Sequence, residues 1–258
     1  MNSVAIIGRG WVGSALDLFL KQKGFTVWCT QRDNSDFSFR LGRAFPRTLL
    51  TLQPKVFICT IPPNDSQYAI DLWAMLAEIK EFCPQSRFIF LSTTGVYEKG
   101  NEPVTELGKI NPQRKTAAWM YEAENAVRES MPLQSWTILR LAGLAGPGRE
   151  PGSFLSGRIN CEDPEARINF VHLDDVLEVI FRCIENPECT GIWNVCADEH
   201  PSREEFFQHR ALMHNWPPPH FVQGQNGRKE GYVSAEKLKI QLSYHFIHPN
   251  PLDFPSGN

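Results

Sequence analysis

The sequence predicts an α/β fold, a doubly wound parallel sheet, from three features: strand-like apolar runs, helical segments between them, and a glycine-rich turn after the first run. Five short apolar runs have the length and composition of strands that are covered on both faces. They span 4–7, 26–29, 56–59, 88–91 and 136–139. Strands that alternate with helical patterns are typical of a parallel sheet.

Three helical segments separate these strands. The first runs from Trp11 to Lys23 and ends at Gly24, a residue that suits a helix C-terminus. The second carries apolar residues at helical spacing, namely Tyr68, Leu72, Met75, Leu76 and Ile79. The third begins at Pro112 and continues to Met131, because proline is favoured in the first turn of a helix.

Composition and charge exclude several classes of partner. The 258 residues include 26 basic and 29 acidic side chains, a net charge of −3, without a basic run. This charge argues against nucleic-acid binding and polybasic membrane attachment, so small molecules are the expected partners. The apolar run near the amino terminus is too short for a signal peptide or a membrane span, which predicts a cytoplasmic protein.

The cysteines and histidines do not predict disulfides or a metal site. The seven cysteines form no CxxC pair, which favours buried thiols. His209 and His214 are five residues apart on a predicted helix and therefore point in different directions. We expect no metal.

A GxGxxG pattern lies between the first predicted strand and the first helix. The loop consists of Gly8, Arg9, Gly10, Trp11, Val12 and Gly13. In this context Gly8 makes the tight turn, Gly10 lets the backbone approach a pyrophosphate, and Gly13 lets the helix pack on the strand. The helix amino terminus then faces the phosphate charge. The segment therefore predicts a nicotinamide dinucleotide site in a Rossmann-type sheet.

The residues after the second predicted strand favour NADP over NAD. They are Thr30, Gln31 and Arg32, at the place where NAD enzymes usually offer a carboxylate to the ribose 2′-hydroxyl. Arg32 would pair with a 2′-phosphate, and Arg9 adds a second positive charge near it. Asp33, one residue further along, keeps NAD as the alternative.

Four further segments resemble the extended short-chain dehydrogenase/reductases, the group that contains the nucleotide-sugar epimerases and dehydratases. Residues 88–97, FIFLSTTGVY, resemble the fifth strand and following turn of that group. Residues 140–149, 171–176 and 191–195 resemble its RxxGxYGPG, IHVDD and GxYNV stretches in the expected order. The loop sequence GWVG, residues 60–63 and the compact length resemble the atypical, YeeZ-like branch of epimerase/dehydratase-like proteins.

The resemblance implies further contacts with the cofactor and the substrate. Thr60, Ile61, Pro62 and Pro63 would line the adenosine side of the cofactor channel. Ser92 and Thr93 would face the nicotinamide, and Ala142 and Gly143 would pass its carboxamide. Arg149 lies in a loop that borders the sugar-nucleotide site in epimerase-like proteins, so it is the candidate substrate contact, with an exposed loop charge as the alternative.

The catalytic tyrosine and lysine of the group are absent from this chain. Matching its helix to the group's places Thr116 at the tyrosine position and Met120 at the lysine position, and no YxxxK occurs elsewhere. A threonine hydroxyl is too weak an acid to be a base near neutral pH, and methionine carries no charge. Thr93 matches the group's catalytic Ser/Thr and would hydrogen-bond a substrate, with a strand-end turn as the alternative.

Tyr97 and His172 are the remaining candidates for acid/base chemistry. Tyr97 follows Thr93 by four residues and is also a candidate substrate contact. The ordinary pKa of histidine lies near neutrality, which qualifies His172. Anchoring of His172 by Asp174 or Asp175, at the start of the next helix, is the favoured alternative to catalysis.

Two functions remain open at this point. One is an NADP-dependent oxidoreductase or epimerase that has a degenerate Tyr/Lys pair and acts on a small molecule such as a nucleotide sugar. The other is a catalytically inactive NADP(H)-sensing regulator, similar to the NmrA-like proteins. Loss of both catalytic residues supports the second function, and retention of the cofactor loop and Thr93 supports the first.

The composition shifts after Gly146 to more glycine, proline and polar residues with shorter elements. We therefore expect a dinucleotide-binding domain over 1–146 and a small C-terminal α/β substrate lobe over 147–258. The lobe is expected to interleave with the first domain and not to fold alone. In the larger group, dimers often form through helices that correspond to 65–83 and 112–131, so a homodimer is expected by analogy.

Overall fold

Strands and helices alternate along most of the chain in the computed structural model, which describes residues 2–33, 37–98, 100–111, 113–222 and 231–255. The strands are β1 (Ser3–Ile7), β2 (Thr26–Thr30), β3 (Val56–Cys59), β4 (Arg87–Thr93), β5 (Trp136–Leu141), β6 (Gly143–Ala145), β7 (Phe170–His172) and β8 (Gly191–Val195). The helices are α1 (Trp11–Gln22), α2 (Arg47–Thr51), α3 (Tyr68–Phe82), α4 (Lys115–Ser130), α5 (Leu173–Glu185), α6 (Arg203–Met213) and α7 (Glu236–Gln241). The predicted α/β fold is confirmed.

The central sheet has six strands in the order β2-β1-β3-β4-β5-β8. β1 pairs in parallel with both β2 and β3, and β3 pairs in parallel with β4. After β1, the chain forms β2 on one side of β1 and then crosses over to form β3 on the other side. Ligands of open α/β sheets bind at the carboxyl ends of the strands at such a change of direction. Here that place lies beyond Ile7 and Cys59, the last residues of β1 and β3.

The buried face of α3 confirms the predicted helical pattern. All five residues predicted from their spacing are buried, with exposures between 0 and 2 %. On the opposite side, Ile70 and Trp73 are more than half exposed and line a depression together with Ala126 of α4. This apolar surface belongs to the two helices for which a dimer contact is expected, and the homodimer stays a prediction. α4 begins at Lys115, while Pro112 lies outside the described residues.

The chain forms two compact units. The first consists of Met1–Val96, Ile110–Arg140 and Val179–Trp193, and the second of Tyr97–Lys109, Leu141–Glu178 and Asn194–Asn258. Each unit thus combines segments that are distant in sequence. The boundary expected at residue 146, with a lobe that interleaves with the first domain, stays a prediction. Whether the second unit folds alone stays a prediction.

The second unit has its own small sheet and apolar core. β6 and β7 pair in parallel, with Leu144 opposite Val171. A buried cluster includes Ile168, Phe206 and Phe207. Beside it, Arg210, 1 % exposed, donates from Nε to Glu150 at 2.8 Å and from Nη1 to the Phe254 carbonyl oxygen at 2.8 Å.

The cysteines agree with the prediction of buried thiols. All seven are unpaired; six are buried and Cys29 is half-buried. In the described ranges, no helix combines the length and the apolar character that a bilayer span requires.

Candidate functional site

The glycine loop is held tightly at two of its three glycines. Gly8 has a φ of 100°, and a Cβ added there would lie 2.8 Å from Cγ1 of Ile61. A Cβ on Gly13 would lie 2.1 Å from the carbonyl oxygen of Gly8, which is closer than any real contact. A Cβ on Gly10 would meet no described atom within 4 Å. The backbone at Gly10 is therefore open to a ligand, as a pyrophosphate cradle requires.

Two threonine side chains hydrogen-bond to the backbone of the glycine loop. The Thr60 hydroxyl donates to the Gly8 carbonyl oxygen at 2.7 Å. The Thr30 hydroxyl accepts the Gly8 N–H at 3.1 Å, and Thr30 is 1 % exposed. The buried Tyr68 hydroxyl donates to the carbonyl oxygen of Ile61. Thr30 and Thr60, both predicted as cofactor contacts, thus have supporting roles within the protein.

Charged side chains of both signs lie on α1 and directly after β2. Asp17, 2 % exposed, pairs with Arg9 at 3.1 Å and with Lys21 at 2.7 Å. Asp33 pairs with Arg40 at 3.6 Å, and Arg32 is exposed. Burial and the Asp17 charge raise the pKa of the Cys29 thiol, in β2, to about 12.

Ser92 and Thr93 end β4, but their hydroxyls have different surroundings. Ser92 is 5 % exposed and donates to Glu124 Oε1 at 2.5 Å. Thr93 accepts the Gly95 N–H at 3.0 Å, the strand-end turn that was the alternative for this residue. A hydroxyl that accepts a hydrogen bond still has its own proton to donate. Thr93 therefore retains the donor that a substrate contact needs, whereas the Ser92 proton is used inside the protein.

A buried ion pair joins α4 to β5, and the sequence did not predict it. Arg140 donates to Glu124 from Nε at 2.9 Å and from Nη2 at 2.5 Å. Glu124 is fully buried and Arg140 is 2 % exposed. Arg140 belongs to segment 140–149, which carries part of the family resemblance, so this motif position has a structural explanation: a bidentate charge pair with Glu124 inside the first unit.

The positions of the missing tyrosine and lysine lie at the start of α4. Thr116 is exposed, and Met120 is 5 % exposed. Arg114, directly before this helix, lies near the Thr93 turn. Its Nη1 is 3.7 Å from the place of a Cβ on Gly95, and Thr93 Oγ1 is 3.3 Å from the same place. The turn at Gly95 brings Arg114 and Thr93 close together. No spacing pattern in the sequence predicts this proximity.

In the second unit, Tyr97 belongs to a buried polar network. Its hydroxyl donates to Asn194 Oδ1 at 2.7 Å, and Tyr97 is 6 % exposed. Asn194 in turn donates from Nδ2 to the Ser234 carbonyl oxygen at 3.0 Å, and its N–H donates to Glu106 at 2.9 Å. The hydroxyl proton that Tyr97 would donate as a general acid is therefore used in the hydrogen bond to Asn194. This bond gives Tyr97 a structural role.

His172 lies against Asp174 and a second histidine. Its Nδ1 is 3.2 Å from Asp174 Oδ2, the contact that was the favoured alternative to catalysis. His248 Nε2 is 3.0 Å from the same oxygen. Burial, followed by the nearby His248, lowers the pKa of His172, although Asp174 and Asp175 oppose this effect. The sequence did not predict His248, which is 74 residues beyond Asp174.

The other predicted residues of the second unit are near its short sheet. Arg149 is exposed on a turn whose backbone bonds join it to Gly146 at 2.8 and 3.2 Å. The Ala142 N–H donates to the Val195 carbonyl oxygen at 2.9 Å. A Cβ on Gly143 would lie 2.5 Å from the Phe170 ring. Their predicted contacts with substrate and nicotinamide stay predictions.

Comparison with known proteins agrees with this geometry. Residues 63–196, just over half of the chain, match the model of the NAD dependent epimerase/dehydratase family. The Protein YeeZ of Escherichia coli is 28 % identical, with 99 % of each chain covered.

Two solved structures with bound dinucleotides share the fold. MoeE5 in complex with UDP-glucose and NAD superposes with a TM-score of 0.75 at 16 % identity, covering 95 % of this chain and 93 % of that one. The human epimerase family protein SDR39U1 with NADPH superposes with a TM-score of 0.72 at 15 % identity, covering 96 % of both chains.

Proposed function

Because the chain belongs to the NAD dependent epimerase/dehydratase family, we propose that it binds NADP at the glycine loop and uses it in redox chemistry on a small hydroxyl or carbonyl compound. The expected substrate class is a nucleotide sugar. The observation that carries the proposal is the contrast within the loop. Gly8 and Gly13 are needed by the protein's own packing, whereas Gly10 leaves its backbone open where the phosphates would lie.

The charges around β2 support NADP over NAD. The two structural relatives contain NAD and NADPH respectively, so the fold accommodates either dinucleotide. In this chain, Asp33 is the carboxylate that would serve NAD, and Arg40 lies 3.6 Å from it in an exposed pair. Arg32 is exposed beside it and offers a guanidinium that suits a 2′-phosphate.

Replacing Arg32 by alanine is expected to weaken NADPH binding by about tenfold or more, since a charge-assisted hydrogen bond contributes roughly 1.5–3 kcal/mol. NADH binding should change little, because NADH has no 2′-phosphate. Titration of both dinucleotides by calorimetry at one ionic strength measures the difference. Arg128→Ala, which removes an equal charge from an exposed site on α4, is the matched control. Equal losses for NADPH and NADH would contradict the preference.

Thr93 and Arg114 are the residues that we assign to the substrate. NADPH, when bound, would supply the hydride that reduces a carbonyl carbon. The Thr93 hydroxyl, whose proton stays available, donates to the carbonyl oxygen. The Arg114 guanidinium, close to the same turn, stabilises the negative charge that develops there. A proton from solvent water, which leaves hydroxide behind, would complete the alcohol.

The sensing regulator remains the second candidate function. Thr116 and Met120 at the tyrosine and lysine positions, together with the engaged hydroxyl of Tyr97, favour it. A sensor would bind NADPH and NADP with different affinities and transfer no hydride to any substrate.

Deuterium transfer from labelled NADPH to sugar nucleotides and aldehydes, followed by mass spectrometry, distinguishes the two functions. The enzyme is expected to label a product, and Thr93→Val should reduce the rate by about a hundredfold, the effect typical of removing one such donor. Thr93→Ser, which keeps the hydroxyl, is the control, and both variants should bind NADPH normally. A wild-type protein that binds NADPH but labels none of these compounds would support the sensor.

A further inference from the structure

Three potential metal ligands converge in the second unit. The nearest ligand atoms of His172, Asp174 and His248 all lie within 4.8 Å of one another. Asp174 Oδ2 is 3.2 Å from His172 Nδ1 and 3.0 Å from His248 Nε2. Around one ion with bonds of about 2.0–2.2 Å, neighbouring ligand atoms are about 2.9–3.5 Å apart. Both distances therefore match the separation of two ligands that share an ion.

The surrounding residues hold these ligands in place. Asp175 is fully buried and accepts hydrogen bonds from the Tyr244 hydroxyl at 2.7 Å and from the His248 N–H at 3.1 Å. The second bond fixes the backbone of His248 beside the helix that carries Asp174. The Phe254 ring packs against both imidazoles, with centroids 5.5 Å from His172 and 6.2 Å from His248. Ligands ordered in this way lose little conformational freedom when an ion binds.

The polar contacts of His172 are not fully satisfied among the described residues. Its Nδ1 lies 3.3 Å from the Asp174 N–H, which needs a lone pair, and 3.2 Å from Asp174 Oδ2, which needs a proton or a cation. One imidazole nitrogen cannot satisfy both neighbours. Its Nε2 is buried without a hydrogen-bond partner. The neutral ring with its proton on Nε2 is the form that binds a metal through Nδ1.

We propose that His172, Asp174 and His248 form a binding site for a divalent transition-metal ion, best matched by Zn²⁺. Two imidazoles and one carboxylate are a ligand set of zinc sites in which three protein ligands leave a further position for water or another ligand. Asp174 is 52 % exposed, so solvent reaches the ion on that side. Mg²⁺ and Ca²⁺ prefer oxygen ligands and do not suit two imidazoles. The site lies within the second unit and does not depend on the dinucleotide proposal.

Calorimetric titration of the chelator-treated full-length protein with Zn²⁺ alone tests the site. We expect one equivalent to bind, and a large excess of Mg²⁺ should not compete. His248→Ala and Asp174→Asn should each weaken Zn²⁺ binding by about tenfold to a hundredfold or more, since each removes a ligand. His248 is half-buried and asparagine is close in shape to aspartate, so both variants should fold, and their melting curves without metal check this.

His245→Ala is the matched control, because His245 is an exposed histidine in the same segment. Substitution of Co²⁺ adds an independent readout, since its visible absorption reports nitrogen and oxygen coordination and should be lost in His248→Ala. Unchanged Zn²⁺ affinity in both ligand variants, or an equal loss in His245→Ala, would overturn the proposal. So would a native protein that binds no stoichiometric Zn²⁺.

Discussion

Replacing Arg140 by methionine is expected to lower the free energy of unfolding by about 3–5 kcal/mol, because it removes the charge partner of a fully buried carboxylate. Glu124 then keeps the Ser92 hydroxyl at 2.5 Å but loses both bonds from the guanidinium. Methionine fills a similar volume, so the loss reports the charge and not a cavity. Urea unfolding followed by circular dichroism measures the difference, with the slope as a check on two-state behaviour.

A second substitution separates the charge effect from packing. The double variant Glu124→Gln with Arg140→Met removes both charges and should recover part of the lost stability, since no buried carboxylate remains. Lys239→Met is the control at a half-buried pair, in which Lys239 contacts Asp198 at 2.9 Å. That change should cost about 1 kcal/mol or less. An Arg140→Met variant as stable as the Lys239→Met variant would show that the buried pair contributes little.

The features that the sequence predicted are those that depend on nearby residues. β3 is a fully apolar run and β1 is apolar after Ser3, and every residue in the two strands is buried. The helical spacing from Tyr68 to Ile79 identified the buried face of α3 because that periodicity is a property of the helix itself. The glycine loop was predictable since strand, turn and helix follow within thirteen residues.

The features that the sequence did not predict join distant segments. Glu124 meets Arg140, Tyr97 meets Asn194, and Asp174 meets His248, and no spacing rule connects the members of these pairs. Taken alone, Arg140 or Asp174 would be interpreted as a surface charge, since arginine and aspartate are mostly exposed. Only the fold reveals that Arg140 is buried and that His172 has a second histidine beside it.

The path of the chain between the two units depends on contacts between distant segments. The shift after Gly146 is real in the sequence, but the residues after it return to the first unit at Val179–Trp193. This segment contains the start of β8, which lies next to β5 at the edge of the large sheet. Which edge a late strand joins depends on the whole sheet, and glycine or proline content does not encode it.

Alanine at Gly10 and alanine at Gly13 are expected to differ in their effect on stability, although both should weaken cofactor binding strongly. At Gly13 the new methyl group would lie 2.1 Å from the Gly8 carbonyl oxygen, a backbone atom that cannot move freely. Gly13→Ala should therefore lower stability by about 1–3 kcal/mol and weaken NADPH binding by at least about a hundredfold. At Gly10, φ is −80°, which any residue adopts, and the methyl group meets no described atom within 4 Å.

Gly10→Ala should consequently leave the melting temperature nearly unchanged while it blocks the approach of the pyrophosphate and removes NADPH binding. Gly24→Ala is the control for a glycine outside the loop. Its φ of 84° predicts a loss of about 1 kcal/mol with normal NADPH affinity. Because Gly10→Ala changes only the surface offered to a ligand, the two variants separate binding from folding. A Gly10→Ala protein that binds NADPH as the wild type does would place the phosphates elsewhere and refute the proposed cofactor site.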